Sequence, residues 1–234
     1  MQIEPAEAPA KGGLERYPAL RYVAPFFAFL IFLAADRLLP FGAEWNYALR
    51  FAVVFGLLIW LSRGVIQWRL SNFAGSTALG IAIFAIWVGP DVLWPAYRQS
   101  WLFTNSIVGA PQSSLPAGVK ASAIFILFRL LSSVVNVPVL EELFWRGWLM
   151  RWLIAKDFER VPLGAYQAQA FWLVAVLFAS EHGSYWDVGL VTGALLNWWM
   201  IRTKSLADCI LAHAVTNGCL AAYVLTRDQW QYWL

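Results

Sequence analysis

The sequence predicts an all-α fold, a polytopic membrane bundle of about eight helices around a polar cavity. The 234 residues are 60% hydrophobic and only 13% charged, whereas soluble domains carry about 25% charged residues. The 15 tryptophans, 16 phenylalanines and 8 tyrosines supply amphipathic rings of the kind that collect at bilayer interfaces. This composition excludes a soluble domain. The net charge of +3, with no dense basic cluster, also excludes a nucleic-acid-binding groove.

Eight apolar segments separated by polar links give the helix count. We expect them at 22–35, 47–61, 74–94, 119–135, 141–154, 167–181, 188–201 and 206–225. Crossing a bilayer takes about 20 residues, so we expect one or two of the shorter segments to insert only in part. Asn136 and Pro138 leave two interpretations of the join between the fourth and fifth segments. Either a new helix begins with proline in its first turn, or one long helix is kinked at the proline.

The chain divides into a tail and one membrane domain. Residues 1–17 are polar and rich in proline and glycine, so we expect a disordered tail. The tail lacks the apolar core of a cleaved signal peptide. Residues 18–234 form the predicted single membrane domain, and the aromatic residues 230–233 are expected at the membrane interface.

Basic residues leave the orientation in the membrane open. Arg16, Arg21, Arg63 and Arg69, with Lys11, favour a cytoplasmic N-terminus by the positive-inside rule. If all eight segments cross, however, the basic residues of 151–160 and 202–204 lie on the opposite side.

The stretch from Asn136 to Arg151 places two adjacent carboxylates and Arg146 inside an apolar, aromatic run, where desolvation is costly. Residues four apart share a helix face, so we expect Glu142 and Arg146 to form a structural ion pair. Glu141 projects about 100° away and is free to face a cavity. The alternative is that both acids begin an interfacial helix and favour its dipole.

The chain has two histidines, and both lie at or near the ends of apolar segments. His182 closes one segment, and His213 shares a helix face with Asn217 in the last one. A Glu and a His could activate water as a general base, while a second His and an Asn could donate hydrogen bonds to an oxyanion. A single histidine in a membrane helix would more often be a hydrogen-bonded core residue than a catalytic one.

Four further polar residues have structural interpretations. Glu181 either orients His182 or caps a helix end. Asn197 and Arg129 are expected to make interhelical hydrogen bonds. Asp208 is expected to favour the dipole at the start of the last helix.

Three ordered motifs, Glu141-Glu142-xxx-Arg146, Phe178-xxx-His182 and His213-xxx-Asn217, resemble those of the CPBP family. This family comprises CAAX-type prenyl-protein endopeptidases and bacteriocin-processing or immunity proteins. The resemblance covers residues 119–225. The region around His213 and the closing residues 228–233 are more specifically similar to the CAAX-protease-related subgroup found with bacterial exosortase protein-sorting systems.

The resemblance implies an intramembrane endopeptidase whose catalytic cavity lies within the helical bundle. It implies Glu141 as the residue that activates water with His182, and His213 and Asn217 as the oxyanion-stabilising pair. Glu142 and Arg146 would support them. We expect no cofactor. In the zinc-dependent alternative, Glu141, His182 and His213 would be the ligands.

The resemblance also implies a location and partners. We expect a multi-pass protein of the bacterial inner (plasma) membrane that acts on a membrane-associated peptide or protein, with exosortase-system proteins as further partners and no nucleic acid. Two alternatives use the same polar cluster without proteolysis. One is a membrane scaffold, immunity or sorting protein, and the other is a transporter or proton relay.

Overall fold

A computed structural model of the chain describes residues 16–39, 41–113 and 115–233. These residues contain eight helices and no β-strand. The predicted disordered tail lies, apart from its last two residues, outside the described part. The helices are α1 (Leu20–Ala35), α2 (Ala43–Ser62), α3 (Phe73–Leu93), α4 (Ala117–Lys120), α5 (Ala123–Trp152), α6 (Ala168–Ser180), α7 (Trp186–Thr203) and α8 (Leu206–Arg227).

The all-helical fold class is confirmed, and the length and composition of the helices support a membrane protein. Four of the described helices, α2, α3, α5 and α8, are long and apolar enough to cross a bilayer. α1 and α6 are shorter apolar helices.

The fourth and fifth predicted segments are one continuous helix, α5. Of the two interpretations of Pro138, the single long helix is therefore the one observed. A π-helical turn over Ser132–Asn136 precedes Pro138, and the Val137 N–H donates to the Ser132 carbonyl five residues back. Widening the turn in this way lets a long helix continue past a proline that lacks an N–H. A second π-helical turn covers Leu143–Leu149, so the two glutamates lie on a short α-helical stretch between two π-helical turns.

Close helix packing fixes the walls of the bundle. α6 and α7 form a tight antiparallel pair, and α3 and α8 form a tight parallel pair. At Gly193 of α7, an added Cβ would lie 3.1 Å from the Cα atom of Ala175 of α6. At Gly80 of α3, an added Cβ would lie 2.4 Å from the Ala212 carbonyl oxygen of α8. Glycine at these positions therefore permits the approach of the backbones.

The main apolar core joins α1 to the C-terminal half of α5. Phe26 stacks on Phe144 with ring centroids 4.0 Å apart. Leu140 and Leu143 are fully buried beside them, and Cys209 of α8 belongs to the same cluster. This core fills the bundle below the two glutamates and sets the floor of the cavity described next.

Candidate active site

A cavity of about 420 Å³ lies between α1, α3, α5, α6, α7 and α8. All four residues predicted to be catalytic line it, namely Glu141, His182, His213 and Asn217. They come from three different helices or helix ends, so the tertiary fold brings the three motifs to one place.

The predicted ion pair is present, and it is fully buried. Arg146 Nη1 donates to Glu142 Oε1 over 3.0 Å, and both side chains are 0% exposed. Arg146 also donates to the Asn197 side-chain oxygen at 2.9 Å and to the Gly193 carbonyl at 3.1 Å, both on α7. Asn197 donates in turn to the Phe171 carbonyl of α6. The guanidinium therefore ties α5 to the α6–α7 pair, and the interhelical role predicted for Asn197 is confirmed.

His213 bonds to Glu142, which sequence reasoning did not predict. Its Nδ1 lies 2.9 Å from Glu142 Oε1, the oxygen that also accepts from Arg146. With the carboxylate ionised beside Arg146, His213 Nδ1 is the donor. In a neutral His213 ring the Nε2 atom then carries no hydrogen. His213 can therefore donate to an oxyanion only when the ring is protonated to the imidazolium.

Glu141 has surroundings unlike those of its neighbour. Its Oε2 atom is buried and makes no hydrogen bond to any described residue, while the side chain lines the cavity. No direct hydrogen bond joins it to either histidine within the described part of the chain. The predicted split between a paired Glu142 and a cavity-facing Glu141 is the arrangement observed.

The Phe178-xxx-His182 spacing has a local explanation. The His182 N–H donates to the Ala179 carbonyl, and this leaves the Phe178 carbonyl without a backbone donor at the end of α6. His182 Nδ1 lies 2.7 Å from that oxygen. Because a carbonyl only accepts, Nδ1 carries the hydrogen and Nε2 of a neutral ring is a free acceptor. The turn continues through Gly183 at φ +50°, where a Cβ would meet the Val108 carbonyl at 2.9 Å.

The Phe178 ring is a common wall for the site. Its centroid lies 4.7 Å from that of His182 and 6.2 Å from that of His213. The Arg146 guanidinium carbon lies 4.8 Å from it on α5, close enough for a cation–π contact. The ring therefore packs against both imidazoles and the buried cation.

Asn217 is positioned by the π-helical turn in α5. In a regular α-helix, the Ser133 carbonyl would accept from Val137. Here Val137 donates to Ser132 instead, and Pro138 has no N–H to offer. Asn217 Nδ2 donates to the Ser133 carbonyl at 2.8 Å. One amide hydrogen of Asn217 is thus committed, and the second remains available toward the cavity.

The candidate zinc ligands do not form a metal site as they are placed. Both imidazoles have Nδ1 bonded and Nε2 remaining, an orientation also found in metal sites. However, within the described residues no group of three His, Cys, Asp or Glu side chains is arranged to hold a metal ion.

Several residues of the cavity were not predicted to belong to it. Glu181 lines it and makes no hydrogen bond to His182 among the described residues. Of its two predicted roles, the position at a helix end is therefore the one observed, since Glu181 is the C-cap residue of α6. Arg129 lines it and donates to the Tyr47 hydroxyl at 3.3 Å, which confirms its predicted interhelical hydrogen bond.

Tyr232 and Trp233 also line the cavity and are 9% and 4% exposed. The 3₁₀ turn after α8 directs the side chains of these two residues, which were predicted at the membrane interface, into the bundle. Nothing in their local pattern indicates this.

Asp208 does more than complement a helix dipole. Its carboxylate accepts from the Ser71 and Asn72 N–H groups, both at 2.8 Å, and from the Ser76 hydroxyl. Burial raises the cost of this charge, but four donors around the start of α3 compensate for it. Asp208 therefore fixes α3 against α8.

Residues 123–219 match the family model described as type II CAAX prenyl endopeptidase Rce1-like. Searches among curated proteins and among solved structures found no match. The matched segment contains all three motifs and every cavity residue predicted to be catalytic. The resemblance to CAAX-type (CPBP) proteases is thereby confirmed for this part of the chain.

Proposed function

We propose that the protein is an intramembrane endopeptidase that hydrolyses a peptide bond of a membrane-associated polypeptide. One observation carries the proposal: a buried carboxylate oxygen of Glu141, without a partner among the described residues, lines the same cavity as His182, whose Nε2 is a free acceptor. A buried carboxylate oxygen without a hydrogen-bond donor is costly, and a proton-accepting role gives a reason for it.

In the proposed reaction, the Glu141 carboxylate takes a proton from a water molecule that is oriented by His182 Nε2. The water oxygen bonds to the scissile carbonyl carbon, and the carbonyl oxygen becomes an oxyanion. The free amide hydrogen of Asn217 and the imidazolium Nε2–H of His213, whose charge Glu142 stabilises, donate to that oxyanion. Glu141 then passes its proton to the amide nitrogen as the C–N bond breaks. The products are a new carboxylate and a new amine.

Replacing Glu141 tests this proposal. Glu141→Gln keeps the size of the side chain but removes the proton acceptor, so we expect a rate loss of about 10²–10⁴-fold, the usual contribution of general acid–base catalysis. Wild-type and variant proteins in nanodiscs would be incubated with membrane-anchored peptides, and new termini would be identified by mass spectrometry. Glu159→Gln, at an exposed glutamate far from the cavity, is the matched control. Cleavage that persists in Glu141→Gln overturns the proposal.

We propose chemistry without a metal, in which Glu141 and His182 together activate the water. Activity should then survive dialysis against EDTA and 1,10-phenanthroline. Loss of cleavage on chelation, with recovery on addition of zinc, would instead support Glu141, His182 and His213 as ligands.

The cellular setting is also proposed from the resemblance. We propose a multi-pass protein of the bacterial plasma membrane whose substrate is delivered by an exosortase-type sorting system. An exosortase gene beside this one would support the link. Processing that is unchanged in cells lacking the exosortase would contradict it.

A further inference from the structure

We infer that the cavity opens on the extracytoplasmic side of the membrane, so that the substrate is a polypeptide segment that has already been exported. The orientation is argued from the structure alone. Only the statement about the substrate rests on the proposed function.

The bundle has two distinct ends, which side-chain contacts define. The first end gathers residues 16–21, 62–72, 151–167 and 202–208. Here Ser62 Oγ donates to the Arg21 carbonyl, and Ser205 Oγ donates to the Arg69 carbonyl. The second end gathers residues 36–39, 41–44, 91–113, 115–122, 181–187 and 227–233.

A clasp of charged and phenolic side chains holds the second end together. Arg98 pairs with Asp91 at 2.8 Å and with Asp187 at 2.9 Å. The Tyr232 hydroxyl donates to Asp91 at 2.7 Å. Burial, and next the bond to Asp91, raise the pKa of Tyr232, so its phenol stays a neutral donor. The loop after α3, the start of α7 and the chain after α8 therefore meet at this end.

The two ends carry opposite charge balances. In the described residues, the first end has nine basic residues against three acidic ones. The second end has four basic residues against six acidic ones. At the first end the residues are Arg16, Arg21, Arg63, Arg69, Arg151, Lys156, Arg160, Arg202 and Lys204, with Asp157, Glu159 and Asp208. At the second end they are Arg37, Arg98, Lys120 and Arg227, with Asp36, Glu44, Asp91, Glu181, Asp187 and Asp228.

The continuity of α5 resolves the conflict between the positive-inside rule and a count of eight crossings, which the sequence alone left open. Counting segments 119–135 and 141–154 as two crossings placed the later basic residues opposite the N-terminus. Because α5 is one helix, Arg151 to Arg160 and Arg202 to Lys204 lie at the same end as Arg21. Short loops rich in Lys and Arg face the cytoplasm. The first end is therefore cytoplasmic.

The cavity extends only toward the second end. In α5 its lining runs from Arg129 to Glu141 and no further, and in α8 it runs from His213 to Leu220. Tyr185, Tyr232 and Trp233 line its upper part at the second end. On the other side of Glu141, the buried Glu142–Arg146 pair and the apolar core close the bundle toward the cytoplasm.

Cysteine labelling tests the orientation without reference to activity. In a background with Cys209→Ala and Cys219→Ala, a single cysteine would be placed by Gln112→Cys at the second end or Lys156→Cys at the first. Both positions are exposed. In bacterial spheroplasts, a membrane-impermeant maleimide should label Gln112→Cys and should label Lys156→Cys only after permeabilisation. The reverse pattern, or labelling of both before permeabilisation, overturns the inference.

A second arm tests the substrate statement. A membrane-anchored peptide that nanodisc-embedded protein cleaves would be added to intact spheroplasts and to inverted vesicles. We expect cleavage in spheroplasts and loss of cleavage in inverted vesicles. Cleavage confined to inverted vesicles overturns the inference but leaves the protease intact. If no peptide is cleaved in nanodiscs, the proposed function fails, while the labelling result still decides the orientation.

Discussion

At the scale of single residues, two neighbouring glutamates have different surroundings. Successive side chains on a helix point about 100° apart, so Glu142 faces Arg146 and His213 while Glu141 faces the cavity. Glu142 supplies a charge that two buried groups need, and Glu141 is left to react.

Removing the charge of Glu142 should damage the fold. Glu142→Gln leaves the Arg146 guanidinium buried without a counter-charge, and breaking a buried pair typically costs about 3–5 kcal/mol. The free energy of unfolding, measured by denaturant titration in mixed micelles, should fall by that order. Glu159→Gln, at an exposed site, should leave it unchanged. Equal stability of both variants would mean that the pair does not hold the bundle.

The tautomer of His182 is a second prediction at this scale. Because Nδ1 donates to the Phe178 carbonyl, ¹⁵N NMR of histidine-labelled protein should show a protonated Nδ1 and a bare Nε2. His213→Gln would assign the signals. A protonated Nε2 on a neutral His182 ring would remove its proposed role toward water.

At the scale of elements, α5 is built around an exception to helix regularity. Pro138 removes one backbone donor, and the preceding π-helical turn redirects another. The Ser133 carbonyl is left for a side chain from α8, and Asn217 bonds to it. The irregular turn thus places one member of the proposed oxyanion pair.

A double-mutant cycle tests this coupling. Asn217→Ala should cost about 1–3 kcal/mol of unfolding free energy, because it leaves a carbonyl unsatisfied in an apolar setting. Pro138→Ala restores an N–H that can reach Ser133 or Val134, so the same Asn217→Ala change should then cost about 1 kcal/mol less. Strictly additive costs in denaturant titrations would show that the turn and Asn217 are independent.

The features that the sequence could predict are those set by residues close together in the chain. The i,i+4 spacing was sufficient to predict the Glu142–Arg146 pair, and the apolar runs were sufficient to predict the helical fold class. The join at Pro138 could not be decided locally, because the turn that accommodates it is completed by Asn217 of α8. For the same reason the bond from His213 to Glu142, 71 residues apart in the chain, was not predicted.

At the scale of the whole molecule, the cavity is closed below by the apolar core and bounded above by the clasp at the second end. Arg98 is 5% exposed and lies between two aspartates. Its guanidinium carbon is also 4.2 Å from the Tyr185 ring centroid. The clasp therefore positions the upper wall of the cavity.

Loosening the clasp should make the upper wall of the cavity more mobile and leave its apolar floor unchanged. Arg98→Gln removes the cation that Asp91 and Asp187 share, so amide hydrogen exchange in residues 97–113 should accelerate while α5 stays protected. An exposed basic residue, changed in Arg160→Gln, provides the comparison. Unchanged exchange in 97–113 would show that the loop is held by other contacts.

In the proposed mechanism, Glu141 activates water and does not itself bond to the substrate. A single turnover in H₂¹⁸O, with enzyme in excess over a cleaved peptide, separates the two directly by mass spectrometry. We expect one ¹⁸O atom in the new C-terminal carboxylate and none in Glu141. Label appearing in the Glu141 side chain, with none in the product after that first turnover, would contradict it.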